Sequence, residues 1–245
     1  MNRDLAGQVA VVTGGARRLG RAIALALAEA RCHVVITYRG ASGEALSTVA
    51  EARAAGAQAL AMQADVAHSD DVAALLDRTL AAFGRADILV ANAGAFRRTP
   101  LASLTEADWD DMITNNLRTA FLCAHRFGLH MRAHGGGALV TLADVAAVRP
   151  WADYLPYSIA KAGVVALTQA LAKELAPSVR VNAVAPGPVL FPEGYDPALQ
   201  QREIGRTLLQ RQGNPSNVAD AVLALVSNDY VTGVVLPVDG GRLLA

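Results

Sequence analysis

The chain has 245 residues, of which 53% are hydrophobic and 18% are charged, and it carries 22 basic and 22 acidic side chains. This composition excludes an intrinsically disordered protein, because disorder requires low hydrophobicity and a high net charge. Zero net charge also disfavours a nucleic-acid-binding protein, which needs a basic surface. Cys32 and Cys123 form no CxxC pair, which disfavours a cysteine zinc site and favours a reducing compartment.

The N-terminal residues lack the apolar segment of a signal peptide, and no run of about 18 apolar residues follows them. We therefore expect a cytoplasmic protein that binds neither a membrane nor a nucleic acid. His130 and His134 have a spacing that occurs in metal sites, but no HExxH pattern accompanies them. We expect no bound metal.

Short apolar runs alternate with longer amphipathic segments along the whole chain. The predicted strands are residues 9–13, 34–38, 59–63, 88–91, 138–142, 179–184 and 233–237. The predicted helices are residues 19–30, 43–55, 70–83, 106–134, 157–175 and 217–227. Strands that are apolar throughout suit a parallel sheet buried on both faces. The series predicts one doubly wound, Rossmann-type α/β domain over residues 1–245, with a seven-stranded parallel sheet and helices on both faces.

The least regular stretch is PGPVLFPEGYDP, residues 186–197, which precedes a helix-like segment at residues 198–210. Its prolines and glycines exclude a central strand or a helix interior. The stretch follows the carboxyl end of the sixth strand, and open α/β sheets bind ligands at that edge. We predict a substrate loop and mobile lid at about residues 186–212; the alternative is a long surface connection.

The first strand leads into a turn that runs from Gly14 through Arg17, Arg18 and Leu19 to Gly20, and then into a helix. Glycines let the backbone approach a pyrophosphate closely, and the helix N-terminus supplies N–H donors. Because this turn follows the first strand of a doubly wound sheet, it predicts a dinucleotide site rather than an empty turn.

The second strand ends in Tyr38 and Arg39, without the acidic residue that binds the ribose hydroxyls in a site selective for NAD. Arg39 places a guanidinium where a 2′-phosphate would lie, and Arg17 or Arg18 could assist it. The alternative for Arg39 is a solvated surface side chain. The sequence therefore predicts NADP(H) as the cofactor.

Tyr157 and Lys161 are four residues apart in a predicted helix, so they share one face. An ammonium beside the phenol favours the phenolate, and we expect it to lower the pKa of Tyr157 towards the working range of an acid–base catalyst. Arginine supplies all but two of the basic residues, and the exceptions are Lys161 and Lys173. A lysine can exchange a proton where an arginine cannot.

Together these motifs resemble the short-chain dehydrogenase/reductase family over about residues 7–241. The matching residues, in chain order, are Thr13-Gly14 with Gly20, Asp65-Val66, Ala91-Asn92-Ala93-Gly94, Asn116-Leu117, Tyr157 with Lys161, Pro186-Gly187 and Val238-Asp239-Gly240-Gly241. The resemblance implies cofactor contacts from the glycine turn and, further along the chain, from Asp65, Val66, Asn92, Ala93, Gly94, Tyr157, Lys161, Pro186 and Gly187. It also implies an oxidoreductase acting on a small molecule.

In this family an asparagine at the position of Asn116 disturbs its helix and helps to hold a water that extends the proton relay from Lys161. The resemblance therefore implies that Asn116 is catalytic together with Tyr157 and Lys161. The two long helices, predicted at residues 106–134 and 157–175, are apolar enough to pair between subunits, as they do in many family members. We expect a homo-oligomer, either a tetramer or a dimer.

Two departures from the family pattern resemble its pteridine reductase branch. Arg18 replaces the middle glycine of the turn, and Asp144 replaces a serine thirteen residues before Tyr157. An ionised carboxylate has no proton to donate to a carbonyl oxygen, but it accepts from the N–H groups of a heterocycle. Phe96 matches an aromatic residue of that branch and could stack on a planar ring, and Arg18 could contact both the ring and a phosphate.

The resemblance thus favours reduction of a pteridine C=N bond, with Asp144 as a catalytic and substrate-binding residue beside Phe96, Arg18 and Tyr157. The first alternative is a reductase of a carbonyl compound or a 3-oxoacyl thioester. The second is a sensor that binds NADP(H) without turnover, which the intact set of Tyr157, Lys161 and Asn116 disfavours.

Overall fold

A seven-stranded parallel sheet forms the centre of the protein, for which a computed structural model describes residues 4–192 and 194–245. The strands are β1 (Val9–Val12), β2 (His33–Tyr38), β3 (Ala59–Gln63), β4 (Ile88–Ala91), β5 (Gly137–Leu142), β6 (Val179–Pro186) and β7 (Val235–Val238). Their spatial order is β3-β2-β1-β4-β5-β6-β7, and each neighbouring pair is parallel. The predicted single doubly wound domain is confirmed.

Helices cover both faces of this sheet. They are α1 (Arg18–Glu29), α2 (Ser42–Ala54), α3 (Ser69–Phe83), α4 (Glu106–Ile113), α5 (Thr119–Ala133), α6 (Leu155–Leu175), α7 (Pro197–Gly205) and α8 (Pro215–Ser227). Ala10 and Val12 of β1 face one apolar cluster, with α1, α2 and α8, while Val9 and Val11 face the other, with α3, α5 and α6. Both faces of the sheet are therefore buried, which explains strands that are apolar at most positions. No helix in the described part of the chain is long and apolar enough to cross a bilayer.

The topology places a crevice at the carboxyl ends of β1 and β4. Strands β2 and β3 lie on one side of β1, and the chain then crosses to β4 on its other side. At such a switch point the loops that follow the two central strands diverge and leave room for a ligand. The glycine turn follows β1, and Asn92 follows β4, so the fold brings both motifs to this crevice.

The prediction of one continuous helix over residues 106–134 is wrong. A π-helical turn, Thr114–Arg118, separates α4 from α5. The cause is the buried side chain of Asn116, whose Nδ2 donates to the carbonyl oxygen of Met112 at 3.0 Å and also to that of Ala95 at 3.0 Å. These side-chain bonds compete with the regular backbone ladder and widen the turn.

The region between β6 and α8 also differs from the prediction at its boundaries. Strand β6 continues to Pro186, where it pairs with Val238, so the predicted loop begins at the last residue of a strand. Helix α7 ends at Gly205, five residues before the predicted end. Beyond the helix, the Thr207 hydroxyl donates to the carbonyl oxygen of Ile204, and Gln210 has a left-handed backbone, with φ of 48°.

Candidate active site

An open cleft of about 680 Å³ lies at the switch point of the sheet. Most of the predicted cofactor residues line it: Gly14, Arg17, Arg18, Leu19, Gly20, Tyr38, Arg39, Asp65, Val66, Asn92, Ala93 and Gly94. Further lining residues that the sequence analysis did not select are Ala16, Thr37, Gly40, Ala41, Glu44, Ala64, Ala95, Asn115, Thr119 and Leu190. Four more residues were predicted to bind the cofactor but are not among those that line this cleft: Tyr157, Lys161, Pro186 and Gly187. A cleft of this size is large enough for a ligand the size of a dinucleotide.

The turn after β1 is packed too tightly for side chains at its two key glycines. A Cβ on Gly20 would collide with the carbonyl oxygen of Gly14, and Gly14 itself has a positive φ of 63°. Asn92 closes the turn by donating its Nδ2 to the carbonyl oxygens of Thr13 and Gly14. The hydroxyl of Thr13 accepts the backbone N–H groups of Asn92 and Ala93, so β1 and β4 are fixed to each other here.

Arg18 occupies the position of the family's middle glycine and shows why glycine is common there. Its φ is 55°, in the left-handed region that a residue with a Cβ enters at a cost. The guanidinium extends away from the turn and donates to the carbonyl oxygens of Leu190 and Phe191, at 3.3 and 3.2 Å. Arg18 therefore joins the glycine turn to the loop that follows β6.

Arg39 lies at the end of β2, with 71% of its side chain exposed. Its guanidinium is 3.6 Å from a carboxylate oxygen of Asp65 and 3.5 Å from the side-chain oxygen of Asn115. The Asp65 carboxylate in turn accepts the N–H of Ala67. Arg39 is thus held at the rim of the cleft by exposed, weak contacts that an incoming anion could replace.

Tyr157 and Asp144 form a direct hydrogen bond. Helix α6 begins with Leu155 and has Pro156 in its first turn, which places Tyr157 at the start of the helix. The Tyr157 hydroxyl donates to Oδ2 of Asp144 at 2.8 Å, and Oδ1 of Asp144 accepts the N–H of Ala146 at 2.8 Å. Tyr157 is only 5% exposed, so this bond lies at the buried end of the site.

Lys161 lies one helical turn further along α6 and is almost fully buried. Its Nζ donates to the carbonyl oxygen of Leu142 at 2.8 Å and is 5.8 Å from the centre of the Tyr157 ring. A Cβ on Gly94 would be 3.7 Å from this Nζ and 2.9 Å from the side-chain oxygen of Asn116. The fold therefore brings Lys161, Asn116 and Tyr157 together where the cleft ends at Gly94.

The expectation that Lys161 lowers the pKa of Tyr157 is wrong for the protein without ligand. Burial raises the pKa of Tyr157 well above its ordinary value, and the neighbouring Asp144 carboxylate raises it further. Burial also raises the pKa of Asp144, against the opposing effects of its hydrogen bonds and of Lys161. Burial lowers the pKa of Lys161 to about 8, although Asp144 opposes that change. For the pKa of Tyr157, the loss of hydration on burial therefore outweighs the attraction of the Lys161 ammonium.

Phe96 belongs to a group of aromatic side chains at the substrate end of the site. Its ring stacks on Tyr154 at 4.8 Å between centroids and meets the ring of Tyr157 edge to face at 4.9 Å. Trp151 packs against both Phe96 and Tyr154. We call Phe96, Trp151, Tyr154 and Tyr157 the aromatic wall. Tyr154 therefore covers one face of the Phe96 ring, and the rings of Tyr157 and Trp151 lie nearly perpendicular to it.

The aromatic wall is held by contacts between two loops. Arg98 forms an ion pair with Asp153 at the base of the wall, and Thr99 pairs with Tyr154 in an isolated parallel bridge. Burial raises the pKa of Tyr154, and a smaller contribution comes from the carboxylate of Glu203 in α7. Glu203 also contributes to the raised pKa of Tyr195, after burial.

The histidine pair lies away from this site, in the last turn of α5 and just after it. The rings of His130 and His134 stack at 4.2 Å between centroids, and Nδ1 of His134 lies 2.8 Å from the carbonyl oxygen of His130. Within residues 4–192 and 194–245, no group of three or more His, Cys, Asp or Glu side chains is placed to hold a metal ion.

An oxidoreductase that uses a nicotinamide dinucleotide fits this arrangement, because the cleft lies at the switch point and ends beside a buried acid–base group. Residues 14–242 match the family described as enoyl-(acyl carrier protein) reductase. The chain belongs to the short-chain dehydrogenase/reductase family, and it is an oxidoreductase.

Relatives of known activity cover the chain almost completely. A 3-oxoacyl-(acyl-carrier-protein) reductase of Staphylococcus aureus is 36% identical over 240 residues, which is 96% of this chain and 98% of the relative. An enzyme of the same name from Synechocystis is 39% identical over 245 residues, which is 98% of each chain. The crystal structure of NADPH-dependent 3-quinuclidinone reductase from Rhodotorula rubra has a TM-score of 0.92 at 28% identity, covering 99% of this chain and 93% of that one.

Proposed function

We propose that the protein is an NADPH-dependent reductase of a small molecule. The observation that carries this proposal is the buried side chain of Tyr157 beside Lys161, whose Nζ lies next to Gly94 in the lining of the cleft. The cleft fits the cofactor, since its glycine turn has no room for a Cβ at Gly20 and its rim carries the cations Arg17 and Arg39. The NADPH dependence of the Rhodotorula rubra reductase supports the same cofactor.

Different residues of the site have different roles in the proposed reaction. The glycine turn and the start of α1 would hold the pyrophosphate, and Arg39 would bind the 2′-phosphate. When bound, the reduced cofactor supplies the hydride. Tyr157 donates the proton to the oxygen of a C=O bond or the nitrogen of a C=N bond, while the hydride adds to the carbon; its raised pKa keeps the phenol protonated at neutral pH. Lys161, with a pKa of about 8, is placed to return a proton to Tyr157.

The relatives support a carbonyl substrate, specifically a 3-oxoacyl thioester, more strongly than the pteridine that the sequence analysis favoured. Both curated relatives described above are 3-oxoacyl-(acyl-carrier-protein) reductases. With such a substrate Asp144 has to act as a neutral acid that donates to the carbonyl oxygen. Its raised pKa, caused by burial, is consistent with that role.

A planar heterocycle of the pteridine type is the second candidate, and Asp144 is the observation that favours it. An ionised Asp144 would accept from the ring N–H groups, while Tyr157 delivers a proton to the nitrogen of the reduced C=N bond. Phe96, which is 38% exposed, offers an aromatic surface for such a ring. Arg18 lines the same cleft and reaches the loop after β6, so it could contact both the substrate and a phosphate.

Replacing Asp144 by Ser distinguishes the two candidates. For a dihydropterin, the variant leaves N–H donors without a charged acceptor, a loss of about 1.5–3 kcal/mol, so we expect kcat/KM to fall by about tenfold to a hundredfold. For a 3-oxoacyl thioester the serine provides a permanent donor, so the rate is maintained or rises. The measurement is steady-state kinetics of wild type and variant on both substrates.

Asp144→Asn is the matched control, because it keeps the size of the side chain and removes its charge. The wild-type pH profile gives a second criterion. If Asp144 donates to a carbonyl, the rate falls as the pH rises through its raised pKa, because the ionised form cannot donate. A wild type that reduces the thioester and leaves the dihydropterin unchanged eliminates the pteridine candidate.

Replacing Arg39 by Asp is expected to reverse the cofactor preference. The change removes a cation from the rim of the cleft, so we expect the Kd for NADPH to rise by about tenfold to a hundredfold. The new carboxylate can bind ribose hydroxyls, so NADH should bind more tightly than in the wild type. Titration of both cofactors checks this. Arg78→Asp, an equal charge change on the exposed surface of α3, is the control. Equal wild-type affinities for NADPH and NADH would contradict the proposed preference.

We also propose that the protein is a cytoplasmic homo-oligomer, a dimer or a tetramer, with no membrane or nucleic-acid partner. Its support is the group of large apolar side chains on α5 and α6 that are at least 40% exposed: Phe121, Leu129, Leu155 and Ile159. Burying them between subunits would remove apolar surface from water. Both cysteines are buried free thiols, which is consistent with a reducing compartment.

A further inference from the structure

Three segments of the chain meet next to the aromatic wall. Glu203 of α7 forms an ion pair with Arg242, from the turn after β7, with 3.0 Å between Oε2 and Nη2. The carbonyl oxygen of Arg242 accepts from Nη1 of Arg149 at 3.2 Å. Arg149 follows the short helical turn that is capped by Asp144. Arg242 therefore connects α7, through its side chain, to the segment that carries the proposed catalytic carboxyl group, through its carbonyl oxygen.

Arg242 is an unusual residue because its charged side chain is buried. Only 9% of that side chain is exposed, and its Nε has no hydrogen-bond partner in the described part of the chain. A buried cation requires a compensating anion, since its hydration has been lost. The carboxylate of Glu203 is the one anion that forms an ion pair with it among the described residues. Removing either partner should therefore cost more than at an exposed ion pair, because it leaves a buried charge without its counterion.

The backbone that follows α7 packs against the turn after β7, residues 239–242. The N–H of Leu209 donates to the carbonyl oxygen of Gly240 at 3.0 Å, and Thr207 is buried against Gly240. Gly241 has a positive φ of 80°, and a Cβ there would be 2.8 Å from a methyl carbon of Leu208. Residues 207–209, which follow α7, are therefore packed against residues 239–242 without space for intervening side chains.

We propose that Arg242 is a positioning residue which, through Glu203, holds α7 against the substrate end of the site. This proposal rests on the reductase function proposed above. A docked α7 lies beside the turn after β7, and that turn contacts Arg149, two residues before Trp151 of the aromatic wall. Loss of the ion pair releases α7, which weakens substrate binding but leaves Tyr157, Lys161 and the cofactor cleft unchanged.

The test is a double-mutant cycle on the pair. Glu203→Gln and Arg242→Gln should each raise KM by about tenfold, with kcat and the Kd for NADPH within about twofold of wild type. The double variant should raise KM no more than either single variant, because one interaction is lost only once. Arg242→Lys keeps the charge and should restore most of the affinity, because only one nitrogen of Arg242 contacts Glu203.

Arg206→Gln is the matched control. Arg206 also pairs with Glu203, at 2.8 Å, but it lies at the end of the same helix and is 44% exposed. Its loss should leave KM unchanged, because it does not join α7 to another segment. If Arg206→Gln raises KM as much as Arg242→Gln, or if the two effects in the cycle multiply, the positioning role of Arg242 is wrong.

Hydrogen exchange provides a readout that does not depend on the proposed activity. The amide of Leu209, which donates to Gly240, should exchange about tenfold faster in Glu203→Gln and Arg242→Gln than in wild type or Arg206→Gln. Unchanged exchange in the first two variants would contradict the docking of α7 through Arg242. Faster exchange in an enzyme that reduces neither test substrate would support the docking and refute only the proposed reductase function.

Discussion

Tyr157→Phe is expected to lower kcat for reduction by about a hundredfold to ten-thousandfold, the usual contribution of a general acid. The phenylalanine keeps the ring packing against Phe96, but it removes the hydroxyl that donates to Asp144 at 2.8 Å. No proton can then reach the substrate from this position. The Kd for NADPH should stay within about twofold, because the glycine turn and the start of α1 hold the pyrophosphate. Steady-state kinetics and cofactor titration measure the two effects separately.

Tyr230→Phe is the control for this variant, since Tyr230 is 97% exposed and lies outside the cleft. It should behave as wild type in both measurements. Substantial turnover by Tyr157→Phe would show that the proton comes from another group. Asp144 would then be the first group to examine, because it is the hydrogen-bond partner of Tyr157 and burial raises its pKa.

Lys161→Arg is expected to lower kcat by at least about a hundredfold, although it keeps the positive charge. The ammonium occupies a small buried site between the carbonyl oxygen of Leu142 and the backbone at Gly94. A planar guanidinium is larger and cannot enter that space without displacing its neighbours. It also remains protonated at every relevant pH, so it cannot return a proton to Tyr157.

The pH profile adds a second criterion for Lys161. In wild type the rate of reduction should fall as the pH rises through about 8, because the ammonium loses its proton there. Lys161→Arg should lack this fall, since arginine does not titrate in that range. Lys173→Arg changes the other lysine of the chain, in the last turn of α6, and should match wild type. A Lys161→Arg enzyme with near wild-type activity would contradict a proton-returning role.

The fold was predictable because its strands are short apolar runs between turns. For β3 and β4 the predicted and observed boundaries agree, and the other strands differ by at most two residues at either end. Burial on both faces leaves few polar positions in a strand, so the pattern is clear once the helices between the strands are recognised. The hydrophobic pattern did not show the interruption of the long helix, because one acceptor of the Asn116 side chain, Ala95, lies 21 residues away; only the family resemblance at Asn116 indicated a disturbed helix.

The cofactor end of the site was also predictable, because its motifs are local in sequence and the topology gathers them at one crevice. The aromatic wall was only partly predictable. Phe96 was selected, whereas Trp151 and Tyr154 were not, because they reach Phe96 through pairing between loops about 55 residues apart. The pKa of Tyr157 was predicted in the wrong direction for a similar reason. Its burial and its contact with Asp144 depend on tertiary packing, whereas the spacing to Lys161 is visible in the sequence.

The most direct test of the central claim is the oxidation of NADPH by the wild-type protein in the presence of a 3-oxoacyl thioester and, separately, of a dihydropterin. We predict substrate-dependent loss of NADPH with at least one of the two, a much lower rate with NADH, and loss of the reaction in Tyr157→Phe. Tight binding of NADPH without oxidation in the presence of either substrate would contradict the account and favour a cofactor-binding protein without turnover.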